Sequence, residues 1–375
     1  MKVEGDWLHH AGTQALCHAL EAEGYQALFV GGCVRNALLG APVNDIDIAT
    51  DALPQTVTNI AEKQGFNAVP TGIDHGTVTV IAKGLAHEVT TFRQDVETNG
   101  RHATVRFATE VAMDAARRDF TMNALYARSD GAVVDPLGGL PDLRARRVRF
   151  VGDATQRITE DYLRILRFFR FFAWYGDPLL GLDAEGLAAC AANSAGIEKL
   201  SRERVGAEFC KLLSAPDPSL AVASMAQSGI LAAALPGADA RALPIAVHFG
   251  LRSWQGRLAV LGGAVETLRL SRSDLAQITL IRKEVGNMRS PAELGYRFGA
   301  DMAGVITLSR AAMLETPPPE NWKAQVQLGA QAGLPISAAD LMPAFQGAAL
   351  GAQLRMLEDR WIASGFALTK ADLLA

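Results

Sequence analysis

The segment from Leu28 to Ala52, LFVGGCVRNALLGAPVNDIDIATDA, constrains this chain more than any other. An apolar run enters a Gly-Gly turn, and a second short run carries Asp45 and Asp47. In a β-strand the side-chain period is two, so Asp45 and Asp47 converge on one face while Ile46 and Ile48 point into a core. Paired carboxylates of this kind are the hard oxygen donors that Mg²⁺ takes together with the phosphates of a nucleotide. Gly31 and Gly32, followed by Arg35 in a helix start, add close backbone approach, exposed N–H groups and positive charge, which a triphosphate needs nearby. Strand, turn, helix and acidic strand in this order point to a nucleotidyl-transfer site.

The segment resembles the first motif of the class II tRNA nucleotidyltransferase and poly(A) polymerase family, within the polymerase beta superfamily. That pattern is Gly-Gly-x-Val-Arg-Asp followed by Asp-x-Asp-x-x-Thr, and this chain has GGCVRN and then DIDIAT. Asn36 stands where the family usually has Asp, which bears on how Arg35 is fixed. Residues 117–124, RRDFTMNA, are similar to the second motif residue for residue. The sequence places Asp119 at the start of a helix, with acid favourable at its positive end. The resemblance implies that Arg117 and Arg118 engage the nucleotide, that Asp119 contacts the sugar and that Asn123 sits beside the triphosphate. Between the two motifs, Glu88 in HEVTTF is the best candidate for a third carboxylate facing Asp45 and Asp47. His75 reads as structural, and the polar loop from Gln94 to Thr104 reads as a mobile element that closes over substrate.

The segment ITEDYLRILRFFRFFAWYG reads as a helix with Thr159 as N-cap and with Asp161, Arg164, Arg167 and Arg170 recurring every three residues along one flank. Phe168, Phe169, Phe171, Phe172, Trp174 and Tyr175 make its far end apolar nearly all round, so at least part of the arginine stripe must be inside the protein or line a cleft. A carboxylate beside a guanidinium complements cytosine and adenine, which each present an amino donor next to a ring-nitrogen acceptor. Uracil and guanine offer the reverse order and would leave buried groups unpaired. Asp161 and Arg164 would thus accept CTP and ATP without a template. They match the family's Glu-Asp-x-x-Arg motif, with Glu160 ahead of them, and the resemblance assigns the same base-reading role. Arg167 and Arg170 continue the pattern, to brace the pair or meet phosphate. A fourth likeness, LSRERVGAEFCKLL at 200–213, has Ser201 as an N-cap and is expected to support the site from beneath.

At 375 residues and 49% hydrophobic content the chain can build two or three cores. The expected architecture is an α+β nucleotidyltransferase head at 1–140, a mixed sheet with flanking helices. An all-α neck with the base-selecting helix at 141–235 and a helical body and tail at 236–375, expected to bind tRNA, would follow. The formal net charge of −4 carries no global basic bias, so any polynucleotide must be held by a local stripe. Cys17, Cys33, Cys190 and Cys210 show no zinc-ligand spacing and read as free thiols of a reducing compartment. No apolar stretch reaches membrane-spanning length, and a cytoplasmic location is expected. The Pro317 to Pro319 run reads as a stiff turn or linker.

The expected activity is addition of CCA to the 3′ end of tRNA from CTP and ATP, with Mg²⁺ as cofactor and no membrane; no protein partner can be inferred. The sister activities of the family, poly(A) addition and CC-only or A-only addition, share the motifs. The chain ends without the basic extension that long RNA engagement calls for, which favours tRNA over poly(A). An inactive RNA-binding homologue on the same fold is the alternative from another class.

Overall fold

The computed structural model describes residues 1–99 and 102–375, without the side chains of residues 74, 95–99 and 102–104. The chain forms two compact units, Met1–Ala234 and Leu235–Ala375.

The first unit is built on strands β1 (Leu28–Val30), β2 (Asp47–Thr50), β3 (Asn67–Gly72), β4 (Thr77–Ala82), β5 (Leu85–Thr91), β8 (Tyr126–Ala127) and β9 (Val133–Val134). Among the described residues they form one mixed sheet in the order β3-β4-β5-β2-β1-β8-β9. Only β2 and β5 run parallel, with Asp47 opposite Glu88 and Ile48 opposite Val89. The helices Ala11–Ala22 and Pro54–Lys63 pack on β3, β4 and β5 through Leu16, Leu20, Val57 and Ile60. His87, wholly buried, joins its ring to Thr13 Oγ1 at 2.8 Å on that covered face. Side chains alternate along a strand, so Glu88 and its partner Asp47 face the opposite way.

Two further strands, β6 (Arg93–Asn99) and β7 (His102–Phe107), pair with each other as a separate antiparallel ribbon. The stretch expected to be a loop, Gln94 to Thr104, is therefore mostly strand. Residues 100 and 101 lie outside the described residues, and so does the expectation that the segment closes over substrate.

Helices follow the sheet. Ala154–Glu160, Leu163–Tyr175 and Arg202–Leu213 are the three that carry the arginines and their partners. Phe168, Phe169, Phe171 and Phe172 are buried as the pattern predicts. Phe168 stacks on Phe150 at 5.4 Å, and Phe120 lies 5.0 Å from both Phe150 and Phe171. This aromatic cluster locks the arginine-bearing helix onto the segment that follows Asp119. Trp174 departs from the expectation, being 42% exposed.

The second unit is helical throughout its described elements. Pro291–Met313 and Trp322–Gln331 pack so closely that a Cβ on Gly295 would come within 2.2 Å of the Val326 carbonyl oxygen. The Pro317 to Pro319 run links these two helices. Tyr296, Trp361 and Phe366 anchor a second apolar cluster, around Ile336, Leu341, Leu357 and Leu373. No helix of the described chain is long and apolar enough to cross a membrane.

Candidate active site

The Gly-Gly turn sits between β1 and the helix Gly32–Leu38. Gly31 has φ 70°, in the region that favours glycine, and a Cβ there would meet Arg118 Nη1 at 3.4 Å. Its N–H donates to the Leu125 carbonyl, and its own carbonyl accepts from Arg35 N at 2.9 Å. Cys33 Sγ donates to the Val30 carbonyl at 3.3 Å, and a longer contact reaches the Asp47 carbonyl. The turn and the acidic strand are thereby tied together.

Asp47 opens β2, half-buried, while Asp45 precedes the strand and is exposed; Ile46 and Ile48 are buried as their alternation requires. The Asp47 carboxyl is pushed up to about 6 by burial and then by the neighbouring negative charges of Glu88 and Asp45, which outweigh Arg118 and Arg35. Among the described residues, no group of three or more His, Cys, Asp or Glu side chains gathers as a metal-ion site. Glu88 stands beside Asp47 across the parallel ladder without completing a three-carboxylate centre. The donor set itself suits a hard divalent cation, since its oxygens carry more negative charge than their surroundings offset.

Arg35 is the reverse case. Its side chain is only 7% exposed, and no carboxylate among the described residues forms an ion pair with it. Nη1 donates to Asn123 Oδ1, Nε and Nη2 donate to Asn36 Oδ1 at 3.1 and 2.9 Å, and Nη2 also reaches the Tyr175 hydroxyl at 2.9 Å. The guanidinium lies 4.1 Å from the Tyr175 ring centroid and 5.2 Å from that of Phe171. Asn36 thus fixes the arginine by hydrogen bonds alone, without the charge of the usual Asp. Burial accordingly lowers the guanidinium's proton affinity, with Tyr175 and Asp119 opposing.

The second motif departs from its expected helix. The helix Val111–Ala116 ends before it, and a single 3-10 turn, Thr121–Asn123, follows Asp119. The bridge between Phe120 and Phe150 holds the chain extended there, overriding the local propensity. Arg117 and Arg118 both pair with Asp114, at 2.7 and 3.0 Å, and the Tyr126 hydroxyl donates to the same carboxylate at 2.7 Å. Burial alone would raise the Asp114 carboxyl, but Arg118, Arg117 and Tyr126 hold it down to about 2. Asp119 accepts from Phe120 N and Asn123 Nδ2, each at 2.9 Å, and from Arg167 Nε at 2.8 Å and Nη2. It too is held down to about 2, against its burial, chiefly by Arg167. Asn123 joins Arg35 on one side to Asp119 on the other.

Thr159 is not an N-cap. It lies inside Ala154–Glu160, whose cap is Asp153, accepting from Gln156 N at 2.7 Å. Asp161 then breaks the helix with φ −152°, and a second helix begins at Leu163. Among the described residues no side-chain hydrogen bond or ion pair joins Asp161 to Arg164; their one link is the Arg164 backbone N–H, which donates to the Asp161 carbonyl at 3.0 Å. Asp161 Oδ2 accepts from Arg204 Nη2 at 2.6 Å and Oδ1 from Leu163 N at 3.1 Å. Arg164 Nη1 donates to Glu160 Oε2 at 2.5 Å and to the Arg157 carbonyl at 2.6 Å. Arg170 Nε donates to the buried Glu208 at 2.6 Å. Ser201 holds the cap position of Arg202–Leu213 without a side-chain cap hydrogen bond.

The sequence thus brings Gly31, Arg35, Asp47, Glu88, Arg118, Asp119, Asn123 and Arg167 into one connected network, and hangs Asp161, Arg164 and Arg170 on separate partners. Sequence reading gave no site role to Asp114, Tyr126, Tyr175, Arg204 or Glu208. Asp114 was findable, since it lies three and four residues ahead of its two arginines, the spacing at which a helical turn brings side chains together. Arg204 and Glu208 share that i, i+4 spacing, but their partners Asp161 and Arg170 lie about forty residues away and leave no local signal.

Residues 27–149 match the family described as poly A polymerase head domain, and residues 180–241 match the probable RNA and SrmB-binding site of polymerase A. The chain is 41% identical over 203 residues to the mitochondrial CCA tRNA nucleotidyltransferase 1 of Homo sapiens, covering 54% of this chain and 47% of that one. It therefore spans about half the length of that curated relative. It is 34% identical over 368 residues to the CCA-adding enzyme of Lacticaseibacillus paracasei, covering 92% and 90% of the two chains. Among solved structures, the Bacillus stearothermophilus CCA-adding enzyme in complex with CTP superposes with a TM-score of 0.78 at 29% identity, over 94% of this chain and 92% of that one. With its mixed-sheet head, its helical continuation and these likenesses over nine-tenths of its length, the chain belongs to the CCA-adding enzyme family of metal-dependent nucleotidyltransferases that share the poly(A) polymerase head.

Proposed function

We propose that this protein adds CCA to the 3′ end of tRNA, drawing on CTP and ATP and using no nucleic-acid template. The observation that carries the reading is the juxtaposition of a buried Arg35, without an ion-pair partner among the described residues, with the under-compensated carboxylates Asp45 and Asp47. A metal-bound triphosphate satisfies both at once, cation to the aspartates and phosphate to the arginine.

Asp45 and Asp47 would hold Mg²⁺, which when bound supplies Lewis acidity at the attacking and departing oxygens of an in-line displacement. The chain's own groups do the rest. Backbone N–H groups after Gly31 and the guanidinium of Arg35 receive the phosphates, with Arg118 against the turn. Glu88 raises the negative potential on Asp47. Asp119 and Asn123 orient Arg167 and Arg35, and Asp119 is positioned to accept from a ribose hydroxyl. Asp161 and Arg164 read the base edge, and Arg170 braces their helix against Glu208. In domain terms, residues 1–140 serve as catalytic head, 141–235 as neck and 236–375 as the tRNA-binding body and tail. Cys17, Cys33 and Cys190, which form no disulfide among the described residues, suit a reducing, cytoplasmic setting.

The test is extension of a tRNA transcript lacking its last three bases, with Mg²⁺ and CTP, ATP or both, resolved at one-nucleotide steps. Two additions with CTP alone and three with both are expected. A long adenosine ladder, CC alone or A alone would reassign the activity within the family, and no extension of any primer would overturn it.

A further inference from the structure

At the far end of the Leu163–Tyr175 helix from Asp161, a cavity of about 610 Å³ opens among Asn36, Pro42, Asn44, Arg146, Trp174 and Lys211, with Arg170 and Tyr175 also in its wall. We propose that this cavity binds a nucleotide of the RNA acceptor strand, stacking its base on Trp174 and meeting its phosphates with Arg146 and Lys211. The inference rests on the activity proposed above and names the place where its second substrate is held.

Four observations converge on that occupant. The lining contains arginine and lysine but no carboxylate, so the cavity favours an anion. Trp174 is exposed here although Phe171 and Phe172 just before it are buried, and its indole N–H donates to the Lys211 carbonyl at 2.8 Å, which fixes the ring beside a cationic residue. An immobilised, exposed aromatic ring next to positive charge is how proteins hold single-stranded nucleic acid without reading its sequence. Size agrees, since the volume lies within the range of pockets that enclose a ligand as large as a nucleotide. Position decides between an RNA nucleotide and the incoming triphosphate. Asn44 in the wall precedes Asp45 directly, so a strand held here ends beside the metal-binding aspartates. Asp161 and Arg164, the base readers of the incoming nucleotide, do not line the cavity.

Arg146 and Lys211 are exposed and belong to no other part of the site, so they can be changed without touching the nucleotide machinery. The experiment measures binding of a fluorescent acceptor-stem minihelix ending in CC by anisotropy, and separately the KM values for CTP and ATP. For Trp174→Ala we expect RNA affinity to fall roughly ten-fold or more, with Trp174→Phe recovering most of it. The double variant Arg146→Ala with Lys211→Ala should weaken binding and flatten its salt dependence by about two in the log–log slope. KM for both nucleotides should stay within two-fold. Unchanged RNA affinity in all variants with intact melting curves, or a rise in nucleotide KM instead, overturns the inference. Wild-type extension of the primer judges the proposed activity independently: extension with unaltered variant binding defeats only the cavity assignment, and Trp174-dependent binding without extension defeats only the activity.

Discussion

Asp45 and Asp47 form no ion pair among the described residues, whereas Asp114, Asp119, Glu160 and Glu208 each hold one or two arginines within the same unit. The two groups of carboxylates belong to one unit, and the contrast separates those without an ion-paired arginine among the described residues from those that have one. A buried carboxylate with an arginine at hydrogen-bond distance is ionised, satisfied and rigid. A carboxylate crowded by others and given no cation is destabilised until something positive arrives. Arg35 repeats the logic with opposite sign, its three polar partners being neutral. Among the described residues, Arg35 and the edge carrying Asp45 and Asp47 are thus left without an ion-pair partner, while Asp114, Asp119, Glu160 and Glu208 have theirs.

The sharpest way to break this comparison is Asp45→Ala. It should cost about a thousand-fold or more in turnover, several kcal/mol of transition-state stabilisation, while the melting temperature stays put. Asp47→Asn should melt higher than wild type, because it removes a charge that burial and Glu88 disfavour. Normal turnover in a folded Asp45→Ala protein would refute the site. Next in size, Asp161→Ala should lower discrimination against UTP and GTP by about a hundred-fold in kcat/KM, the scale set by unpaired polar groups in a recognition pocket. Asp114→Ala is the mirror experiment: Arg117, Arg118 and the Tyr126 hydroxyl lose their shared partner, and urea unfolding should show a loss of about 3 kcal/mol or more. Equal stability of the Asp45 and Asp114 variants would erase the distinction.

The pH dependence follows the same division. Asp114 and Asp119 are held at about 2 in the fold, below the unfolded value of about 3.9, so the unfolded chain takes up their protons first. Their contribution to stability is complete above about pH 4 and is lost as pH falls towards 2; in Asp114→Ala that acid limb should flatten. The smallest effect expected is from Asn36→Asp. It turns a neutral hydrogen bond to Arg35 into a charged one, and should raise unfolding free energy by about 1 kcal/mol. A parallel rise in KM for CTP would identify the unpaired charge of Arg35 as what the triphosphate meets.

Much of this was legible beforehand wherever a short-range rule governed. Period two placed Ile46 and Ile48 inside and set Asp47 on the other face, and the aromatic run after Arg167 declared a buried helix end. The glycine turn was legible because only a left-handed backbone and close approach demand glycine there. What escaped was decided across the chain. The helix expected from Thr159 onward is cut at Asp161, where Oδ1 takes the Leu163 N–H while Arg204, forty-three residues on, holds Oδ2. The expected helix at Asp119 yields to a bridge between Phe120 and Phe150, a pairing that no local window contains. Trp174 looked like core by composition and is exposed because the helix turns it outward at its last turn.

On the base-reading role proposed for Asp161, the break there constrains any attempt to recode nucleotide choice. One residue both terminates a helix and seeds the next, so its side chain is committed to architecture before any base arrives. Exchanging it to suit another letter would also redraw the joint on which Arg164 is mounted. Altered alphabets should thus be sought first at Arg164 and Arg204, or at Asp161 only with asparagine, which keeps an acceptor for the Leu163 amide. Engineering the vocabulary of such a polymerase is in part carpentry.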